Sequence, residues 1–470
     1  MSAVIPEGWL EQPIGNIADV VAGGTPKAGD PNNFAMSGTA IAWLTPADLS
    51  KYNSKSISHG ARDLSQEGYD SSSAKLMPKG ALLFSSRAPI GYVVIAENPI
   101  CTNQGFKNFV FTEQVDSTYA FYYLKSIRDL AESLGSGTTF KELSGATAKT
   151  IPFRLAPLAE QKVIADKLDE LLAQVESTKA RLDAIPAILK SFRQSVLAAA
   201  VSGKLTEEWR GAPIDEWRNV NLIDVVEDKP RNGRSPKGVD YETPYRNLTL
   251  SATTTGEFIA NKFKYIELDI DDSSHLWVKN GDILIQRANT IDYVGVSALY
   301  LGEDNQYVYP DLMMKCRPNK KIIGKYLYLA LLSEGARKYF RDNATGTSGN
   351  MPKINQKTVS ETPLLLPPLK EQAEIVRRVE ELFAFADKVE AQVNAAQVRV
   401  NNLTQSILAK AFRGELTADW RVANPDLISG ENSAEALLER IKAERKAFAA
   451  EKKSGKKKPA KRVSVKKATD

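Results

Sequence analysis

Pro157-Leu158-Ala159-Glu160-Gln161 returns as Pro368-Leu369-Lys370-Glu371-Gln372, 211 residues further on. Gly203-Lys204-Leu205-Thr206 with Trp209-Arg210 returns as Gly414-Glu415-Leu416-Thr417 with Trp420-Arg421, at the same displacement of 211. No residue is gained or lost between the two ends. Inside the second copy the apolar residues are Ile375, Val379, Leu382, Ala386, Val389, Val393, Ala396, Val400, Leu403 and Ile407. Their spacing alternates between four and three, the a/d seam of a coiled coil. The first copy carries the same seam at Ile164, Leu168, Leu171, Val175, Thr178, Leu182, Ile185, Leu189, Phe192 and Val196, with Thr178 its polar member. A heptad stripe needs a partner helix, and this chain supplies one. The two copies are therefore expected to pair with each other. Two unrelated amphipathic core helices would have no reason to share one displacement over seam and ends alike. At about 1.5 Å per residue, some 40 helical residues make a rod of roughly 60 Å.

The ends of the rods are marked. Pro157 and Pro367-Pro368 stand where proline suits the first helical turn. Gly203 and Gly414 stand where a left-handed cap closes a helix. Pro186, whose counterpart is Gln397, predicts that the first rod breaks into two helical pieces.

Two globular modules flank the first rod, at 1–156 and 212–366. The first shows strand-like runs at Ile41–Leu44, Ala81–Phe84, Tyr92–Ile95 and Phe109–Phe111, then a Tyr-rich helix from Thr118 to about Ser133. The second repeats this outline. Asp215-Glu216-Trp217 echoes Glu7-Gly8-Trp9, Gly281-Asp282-Ile283-Leu284 echoes Gly80-Ala81-Leu82-Leu83, and a helix is expected over about 324–341. Here the offsets drift, so the modules have diverged while the rods kept their length. A fixed rod with two unlike heads suits a protein that reads two different things at a set distance. The expected organisation is α+β: module 1–156, repeat 157–211, module 212–366, repeat 367–422, a C-terminal helical segment 423–451 and a basic, disordered tail 452–470.

The chain's net charge of +5 is unevenly spread. Residues 452–470 hold nine Lys and Arg against Asp470, a net +8, so the other 451 residues sum to −3. A nucleic-acid surface must then come from local clustering, with the tail as a further source of loose phosphate affinity or of solubility alone. No apolar run approaches membrane-spanning length, and no basic-then-apolar leader opens the chain. Two cysteines, Cys101 and Cys316, suit a reducing, cytoplasmic setting. With only His59 and His275 beside them they offer no zinc site.

Catalytic motifs are absent from the sequence. There is no phosphate loop, no dinucleotide fingerprint and no Asn/Asp-Pro-Pro-aromatic tetrapeptide of an amino-methyltransferase. Pro310-Asp311 before Lys315 lacks the acidic residue of a nuclease metal site, since Met313 stands there. What remains is a binding surface, built of loops that mix basic residues with Ser, Thr, Asn and Gly. The candidates in the first module are Ser85, Ser86, Arg87, Asn103, Gln104, Lys107, Thr138, Thr139 and Lys141. In the second they are Gln286, Arg287, Asn289, Lys315, Arg317, Thr347, Ser348, Asn350 and Lys353. Arg87 and Arg287 follow corresponding strands, and each is a candidate to reach a guanine edge.

Residues 157–169, their copy at 368–380, the run Asn401–Leu408 and the Gly-x-Leu-Thr-x-x-Trp-Arg endings together resemble the DNA specificity subunits of type I restriction-modification systems. The resemblance implies two target recognition domains, each reading half of a bipartite site in double-stranded DNA. It implies an antiparallel coiled coil of the two repeats that fixes the unread gap. It implies a non-catalytic chain with two methyltransferase subunits and two restriction-translocase subunits as partners, and no membrane. S-adenosylmethionine, ATP and magnesium would then sit on those partners, with no cofactor on this chain. A two-headed protein-binding adaptor, or an enzyme with an unrecognised site, are the rival readings from residues alone.

Overall fold

The structure, a computed structural model, describes residues 5–137, 141–211, 216–346 and 351–455, with side chains up to residue 450. It divides into two compact units, Met1–Ala180 with Val398–Asp470, and Arg181–Gln397.

The strands of the first unit are β1 (Leu10–Pro13), β2 (Ala18–Ala22), β3 (Leu82–Ser86), β4 (Ile90–Ala96), β5 (Phe106–Phe111) and β6 (Pro152–Leu155), with several shorter ones between. β1 pairs antiparallel with β6, which brings both ends of the first module together. The main sheet runs β2-β5-β3-β4, with Ser56–Ile57 parallel at the far edge. Every residue of β3 is buried, as in a strand covered on both faces. Side chains alternate between faces. Leu82 and Phe84 join a core under the Tyr-rich helix, while Leu83 packs with Leu44, Leu49 and Met77 on the other side. That helix is two helices, Ser117–Ser126 and Arg128–Ser133, separated at Ile127.

The second unit repeats the plan with β7 (Arg218–Asn221), β8 (Arg231–Asn232), β9 (Ile283–Gln286), β10 (Ser297–Leu299), β11 (Met313–Cys316) and β12 (Pro363–Leu366). β7 pairs with β12, and the sheet order is β8-β11-β9-β10, strand for strand the order of the first unit. A three-stranded sheet of Gly238–Val239, Tyr245–Leu248 and Phe263–Ile266 is added. The expected helix over 324–341 is again two, Gly324–Leu332 and Glu334–Asp342, because Ser333 leaves the helix and caps the second piece.

Each repeat forms one helix of 44 residues, Leu158–Val201 and Leu369–Phe412. The break expected at Pro186 is absent. Pro186 lies on an exposed face, and the helix runs through it. Both helices end at a left-handed glycine, Gly203 with φ 76° and Gly414 with φ 73°.

Within the first unit the start of the first long helix lies beside the end of the second. Ile164, Leu168 and Leu172 share a core with Leu408, Ala411 and Phe412. Within the second unit the relation is reversed in sequence. Val196, Leu197 and Ala200 share a core with Ile375, Val376 and Val379, and Arg193 bonds Asp387 at 2.7 Å and Glu390 at 2.8 Å. In both units the pairing is antiparallel.

The seam is not uniform. Ile164, Leu168, Val175, Leu189, Ile375, Val379, Val393 and Val400 are buried, and Leu171, Leu182, Leu382 and Val389 are half-buried. Leu403 is a correction: it is 43% exposed. The helix ends turn toward module cores as well as toward each other, so Leu408 and Ala411 take the buried places near that end.

The first long helix also carries an 18-residue window of mean hydropathy 1.2, apolar enough by composition to cross a bilayer. Only 22% of that window is buried: Leu189, Val196, Leu197 and Ala200 are buried, while Ile188 is 62% exposed. A further helix, Ala434–Gly455, packs Leu437, Leu438 and Ile441 into the first unit's core.

Candidate nucleic-acid interface

The repeated Glu-Gln pair of each helix start is structural. Gln161 donates to Ala156 O at 2.8 Å and accepts from Asp116 N at 2.9 Å. Gln372 donates to Pro367 O at 2.8 Å and accepts from Ile323 N at 2.7 Å. Each glutamine thereby ties its helix start to the module before it. Glu160 is wholly buried and accepts from Trp9 Nε1 at 2.7 Å, Thr417 Oγ1 at 2.6 Å and Arg421 Nη1 at 2.6 Å. Glu371 accepts from Trp217 Nε1 at 2.9 Å, Thr206 Oγ1 at 2.7 Å and Arg210 Nη1 at 2.5 Å. The Thr and Arg of one copy's ending thus meet the Glu of the other copy's beginning, in both units.

Several candidate contact residues are taken up by the modules' own packing. Ser85 and Ser86 are wholly buried; the Ser85 hydroxyl bonds Pro89 O and Tyr92 N, each at 2.8 Å. Lys107 is buried against Ser86 Oγ at 3.2 Å and Glu142 at 3.3 Å. Gln286 is wholly buried and donates to Leu250 O and Thr253 Oγ1, each at 3.0 Å. Asn289 donates to its Oε1 at 2.7 Å. Lys315 and Arg317 both pair with buried Asp282, at 3.1 and 2.8 Å. Burial pulls the Lys315 pKa below its ordinary value although Asp282 raises it. Ser85, Ser86, Lys107 and Gln286 are thereby buried within their modules, while Asn289, Lys315 and Arg317 are partnered but half-buried. Sequence could not show this, because a Lys or Gln at a strand end looks the same whether it faces solvent or a buried acid.

Gln104, Lys141 and Lys353 are exposed, while Arg87, Asn103 and Arg287 are half-buried, with Arg87 Nη1 3.9 Å from Glu142. Thr138, Thr139, Thr347, Ser348 and Asn350 lie outside the described residues. The arms of their loops are described. Ser136 and Glu142 exchange backbone hydrogen bonds of 3.0 and 2.9 Å, and Thr345 and Lys353 exchange bonds of 2.8 and 2.9 Å. Each hairpin is tied to a main-sheet strand, Leu143 N to Ser86 O at 2.8 Å and Ile354 N to Arg287 O at 2.9 Å. These bonds align Ser86 with Arg287, and Arg87 with Ala288. Arg87 and Arg287 therefore follow corresponding strands one residue out of register, a correction to their expected equivalence. A shift of one reverses the face on which a strand side chain stands.

A third loop completes the edge in both units. Gly23-Gly24-Thr25-Pro26-Lys27 corresponds to Gly233-Arg234-Ser235-Pro236-Lys237. Gly23 N donates to Phe106 O and Gly233 N to Met313 O, both at 3.3 Å. A Cβ on Gly23 would lie 2.0 Å from Asn103 O, and one on Gly233 1.9 Å from Tyr309 O, so no other residue fits. The close approach places Thr25 on Gln104 and Ser235 on Asp311, each pair joined by a hydrogen bond. Arg87 Nε sits beside Gly105, and Arg287 Nη1 donates to Asp311 O at 3.3 Å. The detectable signal was the repeated Gly-x-Thr/Ser-Pro-Lys.

Around the second unit's edge, His275 has its pKa lowered by burial first, then by Arg231 and Lys315 nearby. His59 bonds wholly buried Asp63 at 3.0 Å, a structural pairing. Among the described residues no group of His, Cys, Asp and Glu is placed to hold a metal. A cleft of about 640 Å³ in the first unit is lined by Tyr92, Phe121, Tyr122 and Lys125. The Lys55–Asp169 pair in it is closed at 2.7 Å, and Tyr122 Oη also bonds Asp169 at 2.5 Å.

Residues 6–187 and 214–396 match the type I restriction modification DNA specificity domain. Over 469 residues the chain is 39% identical to the type I restriction enzyme EcoKI specificity subunit of Escherichia coli K12, covering 96% of this chain and 99% of the relative. It is 38% identical to the StySPI specificity subunit of Salmonella potsdam, with the same coverage of 96% and 99%. The fold resembles the crystal structure of the HsdS subunit from Thermoanaerobacter tengcongensis, with a TM-score of 0.56 at 19% identity over 87% of this chain and 98% of that one. A solved chain of another type I R-M system gives a TM-score of 0.59 at 17% identity, over 87% and 99%.

Proposed function

The chain belongs to the type I restriction-modification DNA specificity family, and from that premise we propose that it selects the DNA sequence on which a restriction-modification complex acts. The observation that carries this reading is the duplicated edge. In each unit a strand end, a tied hairpin and a glycine-pinned loop converge, crowned by exposed Lys and Gln or Asp side chains beside a half-buried Arg. Each edge reads one half of a bipartite duplex site. We assign the unread gap to the long helices, each of 44 residues.

The chain is the specificity component and not a catalyst. We assign methyl transfer, DNA translocation and cleavage to partner subunits, two of each kind, along with their S-adenosylmethionine, ATP and magnesium. We place the complex in the cytoplasm. The antiparallel pairing in each unit and the shared Glu-to-Thr/Arg clasps support a scaffold with two similar docking ends, suited to two copies of one partner.

The deciding experiment exchanges residues 1–156 for the corresponding module of a relative and maps methylation in a host carrying the hybrid complex. One half-site changes and the other stays. A hybrid that alters both halves, or neither, overturns the reading of independent heads.

A further inference from the structure

We propose that Gln104 and Asp311 are corresponding specificity-determining residues with opposite hydrogen-bonding character, set by Thr25 and Ser235; this rests on the half-site reading above. The two side chains occupy one place in the duplicated architecture. Both follow the short segment against which Gly23 or Gly233 is pressed. Both are exposed, and each stands near an arginine just past the central strand, Arg87 or Arg287, although these two are one residue out of register.

The hydroxyl in each pair decides what faces outward. Thr25 Oγ1 donates to Gln104 Oε1, so that oxygen is occupied and the amide nitrogen Nε2 is left as a donor. Ser235 Oγ donates to Asp311 Oδ1 and accepts from Asp311 N at 3.2 Å, a reciprocal clasp that fixes the carboxylate. Among the described residues no hydrogen bond reaches Asp311 Oδ2, which is left as an acceptor. The first module therefore offers a donor where the second offers an acceptor.

In the major groove a donor is answered by O6 or N7 of guanine, N7 of adenine or O4 of thymine. An acceptor is answered by the amino group of cytosine or adenine. Gln104 therefore selects an acceptor-bearing base edge at one position of the first half-site. Asp311 selects an amino-bearing edge at one position of the second. Lys27 and Lys237, two residues beyond the hydroxyls and both exposed, are placed for the neighbouring phosphate. Thr25 and Ser235 are positioning residues, acting through the groups they hold.

The test uses the full chain in its complex and measures competition among duplexes in which every half-site position is varied. Gln104→Glu and Asp311→Asn keep shape and exposure while reversing or mixing the polarity. Gln104→Glu is expected to move preference at one first-half position toward an amino-bearing base. Asp311→Asn is expected to lose discrimination roughly tenfold or more at one second-half position. In each case the untouched half-site reports that the complex has assembled. Thr25→Val and Ser235→Ala should blur discrimination at those same positions without choosing a new base. Preferences unchanged in both polarity variants, or a uniform loss of affinity over all bases, would overturn the assignment and leave the half-site reading intact. A wild-type complex with no bipartite preference would instead sink the half-site reading itself.

Discussion

Glu160 gathers the indole N–H of Trp9, the hydroxyl of Thr417 and the guanidinium of Arg421, and Glu371 gathers those of Trp217, Thr206 and Arg210. Both carboxylates are almost fully removed from water, 0% and 3% exposed. Removing one partner of such a buried, hydrogen-bonded ion pair costs about 3–5 kcal/mol, since the remaining charge is left uncompensated. Glu160→Ala and Glu371→Ala should each lower the urea midpoint of the full chain accordingly. A midpoint within experimental error of wild type would mean that the clasps do not hold the helix ends. The sequence displayed every member of these clasps twice, the Glu, Thr and Arg at the constant displacement of 211 and the tryptophans Trp9 and Trp217 at 208. What it could not display was the crossing, in which one copy's Thr and Arg serve the other copy's Glu. Spacing along a chain carries no information about which of two like partners is met in space. The same limit explains Lys107, Lys315 and Gln286, whose partners Glu142, Asp282 and Thr253 lie 35, 33 and 33 residues away.

The heptad spacing was enough to place both long helices to within a residue or two, because a periodic apolar stripe and marked ends constrain a helix strongly. Pro186 was misjudged as a break for a definable reason. Proline forfeits one helical hydrogen bond and crowds the preceding turn. It does not by itself undo a helix held on both sides by packing, here by Val175 and Leu189. The forfeited bond should still be recoverable. Pro186→Ala is expected to stabilise the protein, by no more than about 3 kcal/mol, the interior helix cost of proline against alanine. Urea denaturation of the full chain reads this as a raised midpoint. A lowered one would mean that the ring itself makes a needed contact. The strands were legible as runs but not in register. Arg87 and Arg287 look equivalent by their neighbours, yet the hairpin bonds set them one residue apart, and only paired backbone can reveal that.

Taken over the whole molecule, charge is concentrated at the C-terminus and otherwise nearly balanced. Residues 456–470 hold seven Lys and Arg against one Asp, while residues 1–451 sum to −3. Sequence-independent affinity for DNA comes from cations that displace condensed counterions, and its salt dependence scales with the number of phosphates neutralised. At the two reading edges Lys107 is paired with half-exposed Glu142, and Lys315 and Arg317 with buried Asp282, which reduces the cations free for phosphate. Base discrimination and general phosphate affinity should therefore separate along the chain. Deleting residues 456–470 is expected to weaken binding to duplex lacking the site and to flatten the dependence of log affinity on log salt. Both half-sites should be recognised unchanged. Replacing the basic residues of the same segment by Gln should reproduce the deletion, because charge and not sequence is the operative property. An unaltered salt slope in both variants would show that the tail serves solubility alone. The phosphate contacts would then have to be found on the modules, beginning with Lys27, Lys237 and the exposed arginines 231 and 234.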